Sequence, residues 1–386
     1  MTDRVLITGA RAPAALDLAR SFGAAGFEVH LADSRTGLMG RWSGVARAMH
    51  RYASPTQKPD GFRRDICRLA DELRPDLIVP VCEEVFHLAQ AAPELGLEDI
   101  LFAPSPDVLD RLHSKARFID LCDALGLAAP TTRRLVERAD VAAFSGQPDR
   151  RVFKAEYSRF GTDALVGPSA ARLAKVRPTL ARPWVVQERI EGREACFYAA
   201  AVAGELTVFS AYGSPWRMSG GVGYAFAPLD EALSAQLMAI AELLAQVVGT
   251  GQFACDLIVD ADNRPWLIEC NPRATSGVHL FGGRRDLAHA FMRRPARPVI
   301  GRDRGRLGPA MWRYGLPMAI AQGRLAEWSD ERREAPDVIT RGRSCAAAVG
   351  AVLDSLAYSA HALIRGGGLE RAMTYDIEWN GPGGVR

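Results

Sequence analysis

FACDLIVDADNRPWLIECNPRATSGVHLF, residues 253–281, is the stretch on which the reading of this chain turns. It reads as two strands joined by a turn. Leu257, Ile258 and Val259 form an apolar run, Asp260 to Asn263 are turn residues, and Trp266, Leu267 and Ile268 resume the run. Asp256 opens the hairpin, while Glu269 and Asn271 stand at its far end. Folding the hairpin brings the two carboxylates together, and Asn271, two residues beyond Glu269, points to the same face in extended chain. Two carboxylates and an amide oxygen are hard-oxygen ligands, the kind that Mg²⁺ uses when it is held together with substrate phosphates. An exposed hairpin with ordinary surface acids accounts for Asp256 alone. It accounts less well for Glu269, Asn271 and Arg273 following a buried-type run and leading into Thr275, Ser276 and Gly277.

The rest of the chain sets the frame. Its 386 residues are enough for two or three domains, and 48% hydrophobic with 24% charged residues is ordinary for a globular protein. A net charge of +3 is too small to indicate nucleic acid. No apolar run reads as long enough to span a membrane, and the N-terminus enters a strand without a signal-peptide pattern. The seven cysteines are scattered without a CxxC pair, so neither a zinc site nor a disulfide framework is implied and a reducing cytoplasm is the expected compartment. Among 48 Lys and Arg residues only Lys58, Lys115, Lys154 and Lys175 are lysine. Where arginine serves as the generic cation, a retained lysine points to a need for a compact point charge, such as phosphate oxygens impose.

Residues 4–33 read as strand, helix, strand, a Rossmann-type opening. Only Gly9 of the dinucleotide glycine pattern is in place, with Arg11 and Ala14 at the later positions, so a nicotinamide oxidoreductase is a weak reading. A further parallel-type strand at 75–81 ends at Cys82, Glu83 and Glu84. These acids stand where open α/β sheets bind ligands, or they cap the helix that follows. Pro104 and Pro106 mark a boundary. Residues 107–125 read as one helix carrying Lys115, 151–155 as a strand with Lys154 near its end, and 184–190 as a strand. Residues 195–203 and 205–212 form a hairpin across Gly204, 213–223 a Gly/Ser loop holding Trp216 and Arg217, and 231–248 a long amphipathic helix. The arginine-rich 284–306 segment reads as a solvated linker, with a docking patch for an acidic carrier as the alternative.

Taken in order, Lys115 on a helix, Lys154 at a strand end, the 187–194 segment, and Asp256 followed by Glu269 and Asn271 resemble the ATP-grasp superfamily over residues 105–285. The Asn271-Pro272-Arg273 that follows Glu269 is similar to the carbamoyl phosphate synthetase and D-alanine–D-alanine ligase branches. The resemblance implies an α/β chain, α+β in its ATP-binding part. A Rossmann-like domain at 1–105 would precede a two-subdomain ATP-grasp fold, with a small subdomain at 106–185 and a large one at 186–300. A C-terminal subdomain at 301–386 has no chemistry assigned.

The same resemblance assigns roles. Lys115 and Lys154 match the lysines on the nucleotide phosphates. Gln187 matches the adenine hinge position usually held by Glu, with Glu188 as a second candidate, and an amide oxygen there can still accept from the adenine amino group. Ile190 matches the backbone amide that reads the ring, and Glu194 the carboxylate on the ribose hydroxyls. Asp256, Glu269 and Asn271 match the Mg²⁺ ligands, with Mn²⁺ as a substitute metal. Arg273 matches the arginine near the transferred phosphate or the substrate carboxylate, or it pairs with Glu269. Three departures stand out. Ala155 follows the second lysine where Pro is usual, Gly161 is the single glycine of the phosphate lid, so that Ser158 or Arg159 would cover the phosphates, and Ala254 stands where ligases often have Arg, for which Arg217 would substitute. The implied activity is ATP-dependent, ADP-forming joining of a carboxylate to an amine through an acyl phosphate. Its partners would be small molecules, without nucleic acid or membrane, in a chain able to form a homodimer. A thiol or hydroxyl acceptor, or a non-catalytic nucleotide-binding module, are the alternatives.

Overall fold

The computed structural model describes residues 2–159, 163–218, 221–293, 295–341, 345–366 and 368–382. Gly161, the expected lid glycine, lies outside the described residues. Three sheets carry the architecture, and the chain is α/β as expected.

The first sheet is parallel, built from Arg4–Thr8, Glu28–Asp33, Ala48–Arg51 and Leu77–Pro80 in the spatial order third, second, first, fourth. Helices cover it, so its strands are apolar runs, with Val5, Leu6, Ile7 and Val79 fully buried. The turn after the first strand needs Gly9, whose φ is +68° and where a Cβ would lie 2.7 Å from Glu84 Oε1. The helix Pro13–Ala24 then starts on proline, whose missing N–H costs nothing in a first turn.

The second sheet is antiparallel, ordered Thr132–Leu135, Trp184–Glu188, Arg151–Ala155, Ala164–Val166. Alternation divides its faces. Leu135, Phe153, Trp184 and Val186 form one apolar core. Lys154 is paired with Val185, and Gln187 with Val152 and Thr132, so these residues share the other face. The strand Trp184–Glu188 crosses the division expected between 185 and 186.

The third sheet has seven strands. Pro265–Asn271, Gly251–Val259, Arg193–Val202, Glu205–Arg217, Gly223–Pro228 and Gly305–Arg306 lie in sequence across it, with Val299–Ile300 beside Glu205–Arg217. Phe197, Phe209, Phe253 and Cys255 pack one face onto Leu237, Ala241 and Leu244 of the helix Glu231–Val248. On the other face, Tyr198, Ala200 and Ala254 join the core that also holds Val5, Ile7 and Val79 of the first sheet. Residues nearer the opposite end of the same strands are left facing a cleft toward the second sheet.

Several expectations change. The 107–125 helix is two helices, Pro106–His113 and Lys115–Ala124, because Ser114 leaves the helical region (ψ 117°) and its side chain accepts from Arg117 N. Lys115 therefore opens a helix. Residues 213–217 are not loop but the end of a strand, since Trp216 is fully buried and Ser214 Oγ donates to Trp216 O and Ala225 O. The 284–306 segment is not a solvated linker. It holds the helix Arg285–Met292, which buries Leu287, Ala288, Ala290 and Phe291, and it supplies two strands to the third sheet. Among the described residues two helices, Glu231–Val248 and Cys345–Ile364, do pass the length and composition needed to cross a membrane. Both are Ala-rich with few charges. The first lays its apolar face on the sheet, and the second leaves Val349, Val352, Leu353 and Leu356 exposed.

Candidate active site

The hairpin forms as its sequence demands. Asp260 Oδ1 accepts from the amides of Asp262 and Arg264, Asn263 takes a positive φ of 59°, and Trp266 Nε1 donates to Asp260 Oδ2 at 2.8 Å. That turn fixes the register, and Asp256 stands directly opposite Glu269. A bulge between Asp256 and Leu257 turns Ile268 toward the cleft as well.

Register extends the row across four strands. Tyr212 pairs with Cys196, Cys196 with Asp256, and Asp256 with Glu269. Cys196 Sγ donates to Asp256 Oδ1 at 3.0 Å, and Asn271 Nδ2 donates to Asp256 Oδ2 at 3.1 Å. Arg273 Nη2 donates to Asn271 Oδ1 at 3.1 Å. Glu269 takes Lys115, at 3.3 Å, where an arginine partner was the alternative expectation. Lys115 Nζ also donates to Ser158 O at 3.2 Å. Sequence reasoning did not single out Cys196 as part of the site. The alternation of Glu194, Cys196 and Tyr198 would have shown their common face, but not that Asp256 lies opposite.

The charges bear on one another. Removal from water pushes the Asp256 carboxyl up, and the neighbouring Glu269 charge adds to that. Burial would raise Glu269 too, but the ammonium groups of Lys115 and Lys154 outweigh it and hold Glu269 below the usual carboxylate range. Burial lowers Lys154, opposed by Glu269 and Asp256. The two carboxyls stand directly opposite each other on neighbouring strands. A divalent cation would take the position between them, with Asn271 beside it, and the donor set suits Mg²⁺. Among the described residues no cluster of three or more His, Cys, Asp or Glu could hold a metal. The site offers two carboxylates and an amide, which fits an ion that draws its other ligands from phosphates and water.

The nucleotide candidates are distributed as follows. Lys115 and Lys154 are 3% and 9% exposed, whereas Lys58 and Lys175 lie at the surface. Gln187, 1% exposed, shares the Lys154 face, and its amide nitrogen Nε2 donates to Thr132 Oγ1 at 3.2 Å, which leaves the amide oxygen to accept. Glu188 alternates to the opposite face and is exposed, so of the two hinge candidates Gln187 is the one on the Lys154 face. The amides of Glu188 and Arg189 are used by Thr131 O and Arg150 O, while that of Ile190 has no acceptor among the described residues. Glu194 is ion-paired with Arg217, and both line the cleft. Gly192 lets the chain pass the neighbouring strand here, since a Cβ would lie 2.2 Å from Val259 O.

Glu83 and Glu84 stand at the N-cap and first turn of the following helix, but neither side chain makes a cap hydrogen bond there. Glu84 Oε1 accepts from Thr8 Oγ1, Val81 N and Cys82 N, which closes the strand end. Glu83 binds Arg159. His279, 2% exposed, is hydrogen-bonded to Asp17 at 2.9 Å in a structural network with Arg341.

The cleft itself, about 390 Å³, is lined by Lys154, Arg159, Glu194, Cys196, Tyr212, Arg217, Asp256, Glu269, Asn271 and Arg273 with their neighbours. A larger cleft of about 510 Å³ is lined by Asp110, Arg134, Glu156 and Tyr157 among others, and by none of the metal or nucleotide candidates. The convergence of charge, rather than volume, picks out the site.

No protein-family model and no curated protein matches this sequence. Solved structures do. N5-carboxyaminoimidazole synthetase from Staphylococcus aureus complexed with ADP aligns at a TM-score of 0.62 and 12% identity, over 83% of this chain and 87% of that one. The biotin carboxylase domain dimer of the Hydrogenobacter thermophilus 2-oxoglutarate carboxylase, in complex with MgADP, ADP and bicarbonate, aligns at 0.61 and 16%, over 78% and 73%. L-amino acid ligase from Bacillus licheniformis aligns at 0.55 and 14%, over 72% and 68%. What the chain shares with them at such identities is its fold.

Proposed function

We propose that this chain, which has the ATP-grasp fold, is an ATP-dependent ligase that activates a small-molecule carboxylate for attack by an amine. The observation that carries the reading is the meeting of Lys154 and Arg273 with Asp256, Glu269 and Asn271 in one cleft between two sheets, with Lys115 paired to Glu269 at its edge.

A carboxylate oxygen of the substrate attacks the γ-phosphorus of ATP, the bond from that phosphorus to the bridging oxygen breaks, and ADP leaves. The amine then attacks the acyl carbon, loses a proton, and phosphate departs with the former carboxylate oxygen. Both reactants of the first step are anions, so the protein must neutralise charge and align them. Lys115 and Lys154 supply compact positive charge to the phosphates from buried positions. Arg273, oriented by Asn271, offers its guanidinium to the carboxylate or to the phosphate in transfer, and Arg217 faces the same space. Asp256, Glu269 and Asn271 would hold Mg²⁺, or Mn²⁺ in its place, and the ion would offset phosphate charge as ATP is cleaved. Gln187, the Ile190 amide and Glu194 would hold adenine and ribose. No protein nucleophile is needed. The partners are small molecules, and we propose a homodimer, the state in which the biotin carboxylase neighbour was crystallised. All seven cysteines are free thiols, which suits the reducing cytoplasm we propose as its compartment.

The test is ADP and phosphate release on adding pools of carboxylates and amines with Mg·ATP, with mass detection of product. With the active carboxylate labelled with ¹⁸O, one label is expected in the released phosphate. Product formed with AMP and pyrophosphate, or phosphate free of label, would contradict the acyl phosphate route.

A further inference from the structure

The C-terminal segment 375–380 returns to the first domain and to the cleft, and its contacts are specific. The Asp376 carboxylate pairs with Arg11 at 2.8 Å and accepts from Ser34 Oγ at 2.6 Å, and the Asp376 and Tyr375 carbonyls accept from Ser54 and Thr56. Trp379 stacks on Phe86 with ring centroids 5.6 Å apart and planes 6° apart. Its amide donates to Glu83 Oε2 at 2.9 Å.

The same Glu83 oxygen accepts from Arg159 Nε at 2.5 Å. The other two nitrogens of Arg159 donate to Asn380 Oδ1, at 3.1 Å, and to Trp379 O, and Glu378 lies 3.8 Å away. A guanidinium presents donors in a rigid planar fork, so acceptors on three sides fix its position and that of its backbone. The residue before it is Ser158, whose carbonyl accepts from Lys115 Nζ, and Lys115 in turn reaches Glu269. A continuous line of contacts therefore runs from the C-terminal segment through Arg159 and Ser158 to the lysine expected on the nucleotide phosphates.

We propose that Arg159 is a positioning residue, and that Glu83 with the 378–380 segment holds it so that the Ser158 carbonyl aims Lys115 at the phosphates of the nucleotide. The otherwise unassigned C-terminal segment thereby completes the phosphate end of the site. This rests on the ATP reading above. Among the described residues Lys115 has two acceptors, one fixed by the hairpin and one by Arg159. With the second released, its ammonium swings toward Glu269 and away from the phosphates. The adenine end, at Gln187 and Ile190, lies outside this line of contacts.

The test compares ATP with AMP on the full chain by calorimetry with Mg²⁺. Arg159→Ala is expected to weaken ATP about tenfold, the loss of roughly one well-placed charged hydrogen bond, while AMP affinity stays at the wild-type value. Arg159→Lys, which keeps the charge but not the fork, is expected to fall between. Should Arg159→Ala not fold, the double variant Glu378→Ala/Asn380→Ala removes outer acceptors only and is expected to weaken ATP in the same selective way by a few-fold. ATP and AMP weakened together, or neither weakened, would overturn the proposal while leaving the ATP reading intact. A wild-type chain that binds no ATP would overturn both.

Discussion

Glu269→Gln is expected to keep the fold and to lose Mg²⁺-dependent turnover by about a thousandfold or more, as removal of a metal-holding charge at a phosphoryl-transfer site does. The substitution is nearly isosteric, and Gln can still accept from Lys115. What disappears is the negative charge. In the wild type the Lys115 and Lys154 ammonium groups hold Glu269 ionised, while Asp256 opposite retains its proton more readily. Without Glu269 the site keeps one carboxylate in place of two, and affinity for a divalent cation should fall with the lost charge. ADP formation measured against Mg²⁺ concentration, with a melting curve to show an intact fold, checks this. Near-normal turnover with the wild-type Mg²⁺ dependence would remove Glu269 from the site.

The second large effect concerns the four lysines. Lys58→Arg and Lys175→Arg should behave as wild type, because both side chains are exposed and a guanidinium fits there as well. Lys115→Arg and Lys154→Arg should weaken ATP binding and lower turnover by about tenfold or more, since each ammonium sits enclosed and a larger planar group must displace neighbours. Composition alone forecasts the opposite for Lys154, as arginine replaces lysine almost everywhere in this chain. Steady-state rates and ATP affinity for the four single variants decide the matter. If all four match wild type, the phosphate roles of Lys115 and Lys154 are wrong.

The hairpin at 251–271 was legible because its information is local. The turn residues, the two apolar runs and the acids at their ends lie within one short stretch, so the turn sets the register and the register sets the opposition of Asp256 and Glu269. The first sheet was legible for a similar reason, since fully covered parallel strands are written as apolar runs. The placement of Cys196 and Tyr212 beside Asp256 was not, because it depends on pairing between strands far apart in sequence. The extension of the Glu205–Arg217 strand was hidden by its Gly213 and Ser214, whose turn preference yields to the burial of Trp216. The break at Ser114 was missed although Ser is a good N-cap, because the apolar pattern continues on both sides of it. Arg159 could be suspected only as a cover for the phosphates. Its partners Glu83 and Trp379 are 76 and 220 residues away, and no local signal joins them.

The central claim is that the cleft between the second and third sheets binds ATP with a divalent cation. Thermal shift of the wild-type chain with Mg·ATP, with ATP and chelator, and with NAD(P)H tests it most directly, because a ligand that binds only the folded state raises the melting temperature. A rise is expected with Mg·ATP, a smaller one when the metal is chelated, and none with NAD(P)H. A rise with NAD(P)H and none with Mg·ATP would contradict it and return the first sheet to the role of a dinucleotide site.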